Sequence, residues 1–189
     1  MSKIIKISLI ILLALTLTAC AQSQLETTGV KENLGTNKIT INHMKITSSA
    51  FADDALIPSQ YSCDSENINP PLAISEVPKE AKSLVLIMND PDAPMGTWLH
   101  WTVWNISPDT TEIAADSVPA GALEGKTDFG TPGYGGPCPP SGTHRYFFKL
   151  FALDQKLNLE AGASLSALEQ AMANHIIDQA ELIGKYQRN

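Results

Sequence analysis

The chain has 189 residues, with 13 basic and 20 acidic side chains and a formal charge of −7. This length suits one domain with extra sequence at an end, since domains usually contain about 100–200 residues. The acidic balance argues against nucleic acid as a partner, because phosphate backbones are bound by clustered lysine and arginine. It also argues against broad electrostatic docking on anionic lipid.

The N-terminus has the pattern of a secretory signal. Lys3 and Lys6 accompany an apolar stretch that is shorter than the roughly 20 residues of a membrane-spanning helix. The stretch closes with Leu-Thr-Ala before Cys20, which resembles a bacterial lipobox, where the cysteine is lipidated and becomes the mature N-terminus. We therefore predict a lipoprotein signal peptide at residues 1–19 and lipidation of Cys20. A plain secretion signal is the alternative.

A polar segment, residues 20–38, follows the signal. It lacks the apolar residues needed to bury a core, so we expect a flexible tether before the folded domain, residues 39–189. Signal removal takes away two of the 13 basic side chains and no acidic one, so the formal charge becomes −9. Because two or more acyl chains anchor a protein firmly, we expect it in the cell envelope, lipid-anchored to a bacterial membrane on the extracytoplasmic side. The residue after Cys20 is Ala21 and not the aspartate that retains lipoproteins at an inner membrane. The anchor is therefore compatible with an outer membrane, if the cell has one.

Two cysteines lie in the expected domain, Cys63 and Cys138. An even number of cysteines in an exported protein is compatible with a disulfide between them. Two free buried thiols are the alternative.

Three stretches of the domain have the composition of strands. An alternating segment from Ile39 to Ile46 opens the domain, and the apolar run at residues 83–88 is typical of a strand buried on both faces. In residues 97–106, a period of two places four side chains on one face: Trp98, His100, Thr102 and Trp104.

A later stretch carries the second histidine of interest. Its shared face consists of His144, Tyr146, Phe148 and Leu150. We therefore predict that His100 and His144 meet over one pocket. The loops nearby are restricted, because Asp90 and Asp92 flank a proline and a glycine-rich loop, residues 129–137, leads into a proline turn.

The C-terminus is predicted to contain the one clear helix, which runs to about Gln179 and is followed by a strand at residues 182–186. Ser166 and Glu169 have the spacing of a capping box, and Ser164 is the other candidate N-cap.

Several motifs occur in an order that is more specific than any one of them. They are Asp90-Pro91-Asp92-Ala93-Pro94, Trp98-Leu99-His100-Trp101, Gly135-Gly136-Pro137-Cys138-Pro139-Pro140 and Gly142-Thr143-His144-Arg145-Tyr146. In these motifs, from about Ile41 to Arg188, the chain resembles the phosphatidylethanolamine-binding protein family, in its bacterial Raf-kinase-inhibitor-like branch. Only three residues separate Pro94 from Trp98, where eukaryotic members of the family carry a longer insertion. The pocket-rim contacts of the eukaryotic proteins are therefore not transferred to this chain, and the resemblance does not imply kinase inhibition.

The resemblance implies a mainly β fold, in which a large antiparallel sheet packs with a smaller sheet, together with a C-terminal helix and a closing strand. It also implies a non-enzymatic pocket for small anions. Asp92 and Arg145 would support the pocket loop as an ion pair. Carried over residue by residue, the ligand-binding positions are Asp90, His100, Gly136 through its backbone N–H, Pro140, His144 and Tyr146.

The implied partner is a small anionic or phosphorylated ligand, such as a phospholipid head group. Histidine, tyrosine and backbone donors bind a phosphoryl oxygen without lysine or arginine, and Asp90 would orient a histidine. We predict no catalytic residue, no metal, no cofactor and no nucleic-acid partner.

Two other classes of function stay open. Inhibition of a protease or kinase by protein contact occurs in the family, although the sequence names no target. A metal-dependent hydrolase is less favoured: two histidines and two aspartates, His100, His144, Asp90 and Asp92, suffice in number, but short-spaced histidines are missing. A serine nucleophile at Ser141 is weaker still, because no Gly-x-Ser-x-Gly elbow surrounds it.

Overall fold

The computed structural model describes residues 43–188. The predicted signal peptide, Cys20, the tether and the first residues of the predicted domain, 39–42, lie outside the described residues. None of the described helices is long and apolar enough to cross a membrane.

The described part of the chain contains nine strands, one α-helix and a 3₁₀ turn at Ser59–Tyr61. Its regular elements are β1 Lys45–Thr47, β2 Ala55–Leu56, β3 Leu72–Ser75, β4 Ser83–Asp90, β5 Trp98–Ile106, β6 Glu112–Ile113, β7 Leu123–Glu124, β8 Thr143–Leu153, α1 Leu165–Met172 and β9 Ile176–Gln187.

The strands form two sheets. The larger has the order β2-β9-β8-β4-β5-β7 and is antiparallel except for the parallel pair of β2 with β9, and the smaller has the order β1-β3-β6. The mainly β class, the two sheets, the C-terminal helix and the closing strand are therefore confirmed.

The strand β4 lies at the centre of the larger sheet and is buried on both faces, as predicted. Leu84, Leu86 and Met88 belong to the core that includes residues of the smaller sheet. Val85 and Ile87 belong to a second core on the opposite face, which the helix α1 covers through Leu168 and Met172. Each large buried aliphatic side chain contributes about 1.5–3 kcal/mol, so these two layers hold the sheet that carries the site.

The strand β5 does not alternate as predicted. Met88 pairs with Trp101 and Asn89 pairs with Leu99, so a β-bulge leaves His100 without a partner on β4. Trp98, before the bulge, and His100, at the bulge, line one cavity. After the bulge, Trp101 packs in the core between the sheets, whereas Trp104 packs on the opposite, helix-covered face. The prediction of one shared face for Trp98, His100, Thr102 and Trp104 is therefore wrong, because an extra residue in one strand inverts the alternation that follows it.

The strand β8 keeps its alternation over its whole length. It pairs with β4 on one side and with β9 on the other. Tyr146, Phe148 and Leu150 are fully buried in the core between the sheets, and His144 is buried on the same face. The predicted face of β8 is confirmed.

The C-terminal helix is shorter than predicted. Its N-cap is Ser164, whose Oγ accepts from the N–H of Ala167, so the capping box at Ser166 and Glu169 is wrong. The helix ends at Met172, because Asn174 takes a left-handed φ of 66°. The chain then joins β9 at Ile176, where cross-strand pairing with β8 outweighs local helix propensity.

Candidate functional site

A cavity of about 260 Å³ opens where β4 ends and β8 begins, beside the bulge of β5. It contains four of the six residues predicted to bind ligand: Asp90, His100, Pro140 and His144. Its other lining residues are Ala93, Pro94, Trp98, Phe129 and Cys138. A larger hollow of about 520 Å³ lies between β1 and β9 and contains none of the predicted site residues.

Asp90 and His144 form a buried pair at the base of the cavity. Nδ1 of His144 lies 2.7 Å from Oδ2 of Asp90, and the two side chains are 9% and 4% exposed. The other oxygen, Oδ1, accepts from the backbone N–H of Asp92 at 2.8 Å. The aspartate therefore holds both the histidine ring and its own loop, and it leaves Nε2 of His144 for the cavity.

His100 is held by the glycine-rich loop. Its Nδ1 lies 2.6 Å from the carbonyl oxygen of Gly135, and the N–H of Gly135 donates to the carbonyl of His100 at 3.0 Å. Because His100 lies at the bulge and has no partner on β4, its backbone carbonyl can accept this hydrogen bond from Gly135. Burial lowers the pKa of His100 below its usual value of 6.5, and the backbone groups of Gly135 and Gly136 and the charge of Asp90 offset only part of that effect.

Tyr146 lies behind His100 and does not line the cavity. The centroids of the two rings are 5.1 Å apart in an edge-to-face arrangement. Tyr146 is fully buried, and its hydroxyl makes no hydrogen bond of ordinary geometry to any described residue. Burial, followed by the charge of Asp90, raises the pKa of Tyr146 well above 10. The predicted role of its O–H as a ligand donor stays a prediction.

Gly136 was predicted to offer its backbone N–H to the ligand, but that group is already engaged. It donates to Oδ1 of Asn67 at 2.8 Å. A side chain at position 136 would overlap the carbonyl oxygen of Tyr61, because a Cβ there would lie 2.5 Å from it. Glycine is thus required here for close packing of two loops, and Asn67 is a supporting residue that sequence reasoning missed.

Asp92 and Arg145 form the predicted fork. Nε and Nη2 of the guanidinium lie 2.9 and 2.7 Å from the two carboxylate oxygens, and the backbone N–H of Arg145 donates to Oδ2. Hydrogen bonds from this arginine lower the pKa of Asp92 to about 2. The pair is partly exposed, so its value lies in fixing the loop after β4.

Cys63 and Cys138 form a disulfide in the structure. Cys138 lines the cavity, while Cys63 lies in the loop that also carries Asn67. The N–H of Cys63 donates to the carbonyl of Pro137 at 3.1 Å. The disulfide therefore ties one wall of the cavity to the neighbouring loop.

Two aromatic side chains that were not predicted as ligand-binding residues, Phe129 and Trp98, line the cavity and form its aromatic rim. Phe129 is 46% exposed and packs edge-on against both Trp98 and His100, with centroids 5.7 and 5.3 Å apart. Gly135 makes room for it, because a Cβ there would lie 2.2 Å from the ring. The only sequence signal was the place of Phe129 at the start of the glycine-rich loop.

The polar groups of the cavity suit hydrogen bonding to a small ligand better than metal ligation. Among residues 43–188, no group of three or more His, Cys, Asp or Glu side chains is arranged to hold a metal ion. Asp90 is bonded through both oxygens, and Asp92 is bonded to Arg145. These contacts disfavour the four-residue metal site considered from the sequence.

Comparison with known proteins gives one consistent family. A family model described as phosphatidylethanolamine-binding protein matches residues 47–187. A UPF0098 protein of Methanothermobacter thermautotrophicus is 52% identical over 150 residues, which cover 77% of this chain and 99% of that protein. The crystal structure of the phosphatidylethanolamine-binding protein homologue CT736 from Chlamydia trachomatis has a TM-score of 0.76 at 45% identity, covering 78% of this chain and 99% of that one. YbcL of Escherichia coli has a TM-score of 0.73 at 31% identity, covering 78% of this chain and all of its own.

Proposed function

Because this chain belongs to the phosphatidylethanolamine-binding protein family, we propose that its cavity binds the phosphoryl or carboxylate group of a small ligand. The volume of about 260 Å³ lies below the roughly 300–1,000 Å³ typical of sites for drug-sized ligands. A compact anionic group, with the rest of the ligand against the aromatic rim, fits that size.

The convergence of two oriented imidazoles carries this proposal. His100 and His144 come from different strands and line the same cavity, and each ring is held through Nδ1 by an acceptor of the protein. This arrangement fixes both rings before a ligand arrives, which reduces the entropy lost on binding. The Asp90 carboxylate makes the His144 contact an ion pair when that ring carries two protons.

The proposed role is binding without catalysis. Among the residues that line the cavity there is no serine, threonine or lysine, and the one cysteine is in the disulfide. Because nucleophilic catalysis needs such a side chain beside the general base, we assign the pairing of Asp90 with His144 to the positioning of a donor.

The variant His144→Ala is expected to bind inorganic phosphate and phosphoethanolamine about 10- to 100-fold more weakly than the wild type. Loss of one hydrogen bond to a charged group removes about 1.5–3 kcal/mol, and each 1.4 kcal/mol is tenfold in affinity. Titration calorimetry of the purified mature protein measures the change.

His175→Ala is a matched control, because Nδ1 of His175 bonds Oδ1 of Asp154 at 2.8 Å in a similar pair that lies outside the cavity. This variant should bind both ligands normally. Unchanged binding in His144→Ala and in His100→Ala would show that the ligand binds elsewhere.

We also propose that lipidation at Cys20 places the cavity in the cell envelope, on sequence grounds alone. Cys20→Ser should leave the chain unlabelled by radioactive palmitate and release it from the membrane fraction, since the remaining body is acidic and has little affinity for anionic lipid. Ser23→Ala, three positions after the cysteine, leaves the lipobox intact and is the control. A Cys20→Ser protein that stays in the membrane fraction would contradict the anchor.

A further inference from the structure

The protonation pattern of the two cavity histidines restricts the ligand further. A carbonyl oxygen only accepts hydrogen bonds, so Nδ1 of His100 carries the proton in its bond to Gly135. The Asp90 carboxylate likewise accepts from Nδ1 of His144. In a neutral ring the other nitrogen, Nε2, is then an acceptor, and it becomes a donor only when the ring holds two protons. The hydrogen bonds of ordinary geometry that the two rings make to other described residues both use Nδ1.

The two rings have different surroundings. His144 is bonded to a carboxylate, so a second proton on its ring creates an ion pair. His100 is 3% exposed, is bonded to a neutral carbonyl and packs edge-on against two aromatic rings. A positive charge is therefore better accommodated on His144 than on His100.

The ionisable groups around His100 come from three elements. They are Asp90 at the end of β4, Asp128 in the loop before the glycine-rich segment, and His144 and Tyr146 on β8. The Asp128 carboxylate accepts from the N–H of Leu99 at 2.7 Å. The charges of Asp90 and Asp128 favour protonation of His100, but the desolvation of the ring is the larger effect and lowers its pKa.

We propose that His144 donates to the ligand and His100 accepts from it, so that the cavity selects a phosphoryl group that carries its own P–O–H. This inference rests on the proposed anion site and narrows it. Inorganic phosphate and small phosphomonoesters have such a group. Sulfate and phosphodiesters do not, and a phospholipid head group is usually a diester.

The selectivity depends on whether the ligand carries a proton that Nε2 of His100 can accept. The second ionisation of a phosphomonoester lies near pH 6, so at pH 6.5 a substantial share still carries a P–O–H that Nε2 of His100 can accept. A fully deprotonated oxyanion offers only lone pairs. It binds only if the buried His100 takes up a proton, or if two acceptors face each other without a hydrogen bond.

Titration calorimetry at pH 6.5 on the mature protein tests this with two matched ligand pairs. Inorganic phosphate should bind at least about tenfold more tightly than sulfate, which has the same tetrahedral shape. Phosphoethanolamine should bind at least about tenfold more tightly than glycerophosphoethanolamine, its diester.

The variant His100→Gln tests the residue itself. Its side-chain amide can both donate and accept, so the phosphate-to-sulfate ratio at pH 6.5 should fall towards one. Circular dichroism checks that the variant is folded, and the wild-type ratio decides the question if it is not.

The two levels of the proposal fail in different ways. Equal affinities of the wild type for phosphate and sulfate at pH 6.5 would overturn the selectivity and leave the anion site in place. If none of the four ligands binds, or if neither His144→Ala nor His100→Ala weakens their binding, the proposed function itself is overturned.

Discussion

Replacing both Cys63 and Cys138 with serine is expected to lower the free energy of unfolding by about 4 kcal/mol. The disulfide joins residues 75 positions apart. In the chain-entropy description it stabilises the protein by restricting the unfolded chain, by about 3 kcal/mol for a 15-residue loop and about 4.7 kcal/mol for a 100-residue loop. Urea unfolding followed by tryptophan fluorescence measures the loss, with Cys20→Ser in both proteins so that no other thiol differs.

Reduction of the parent protein with dithiothreitol is the control, since it opens the same loop without changing the sequence. It should produce a similar loss. Because Cys138 lines the cavity, phosphate affinity should also fall while the protein is still folded. A loss of stability below about 1 kcal/mol would show that the loops on either side are held together by other contacts, such as the hydrogen bond between Gly136 and Asn67.

The parts of the fold that follow from local periodicity could be predicted from the sequence. Successive side chains of β4 and β8 point alternately into the core between the sheets and towards the opposite face, and the pairing of the two strands has no bulge. The meeting of His100 and His144 over one pocket was predicted from the period of two in their strands, and both line the cavity. The place of Asp90 in the same pocket was implied by the family resemblance, and the fork of Asp92 and Arg145 is observed as well.

The bulge of β5 could not be predicted in this way. It depends on how the hydrogen bonds of β5 match those of β4, and the local composition of residues 98–106 is typical of a regular strand. Without the bulge, His100 and Trp101 would point to opposite faces. With the bulge, both point to the same face: Trp101 packs in the core between the sheets, and His100 lines the cavity.

Two further differences arise from contacts between distant residues. Gly136 donates to Asn67, which is 69 positions away, and the sequence around either residue does not reveal that contact. The helix ends and β9 begins earlier in the chain than predicted, because the pairing of β9 with β8 starts at Ile176. In both places tertiary contacts decide among local conformations that the sequence alone leaves open.

Asp90 is the residue on which the geometry of the site most depends. It accepts from the ring of His144 and from the backbone of Asp92. One carboxylate therefore determines which nitrogen of His144 faces the ligand and fixes the loop that lines the opposite wall. Stability and ligand binding both depend on it, and two substitutions separate these effects.

Asp90→Ala is expected to lower the free energy of unfolding by about 3 kcal/mol. It leaves the Nδ1–H of His144 and the N–H of Asp92 without their acceptor, and a buried polar group left unpaired costs about 1–3 kcal/mol. Asp90→Asn should cost about 1 kcal/mol or less, because its amide oxygen can still accept from Asp92. Urea unfolding of the two variants beside the wild type gives both values.

Asp90→Asn should nevertheless change how phosphate binds. With the amide oxygen held by Asp92, its NH₂ group faces Nδ1 of His144, which must then be the acceptor, and the ring proton moves to Nε2. His144 then donates as a neutral ring, so affinity should fall about tenfold, since a charge-assisted hydrogen bond is roughly twice as strong as a neutral one. Titration calorimetry measures the affinities, and nitrogen-15 spectra of the imidazole report the tautomer. An unchanged Nδ1–H tautomer with wild-type affinity would mean that Asp90 does not control the protonation of His144.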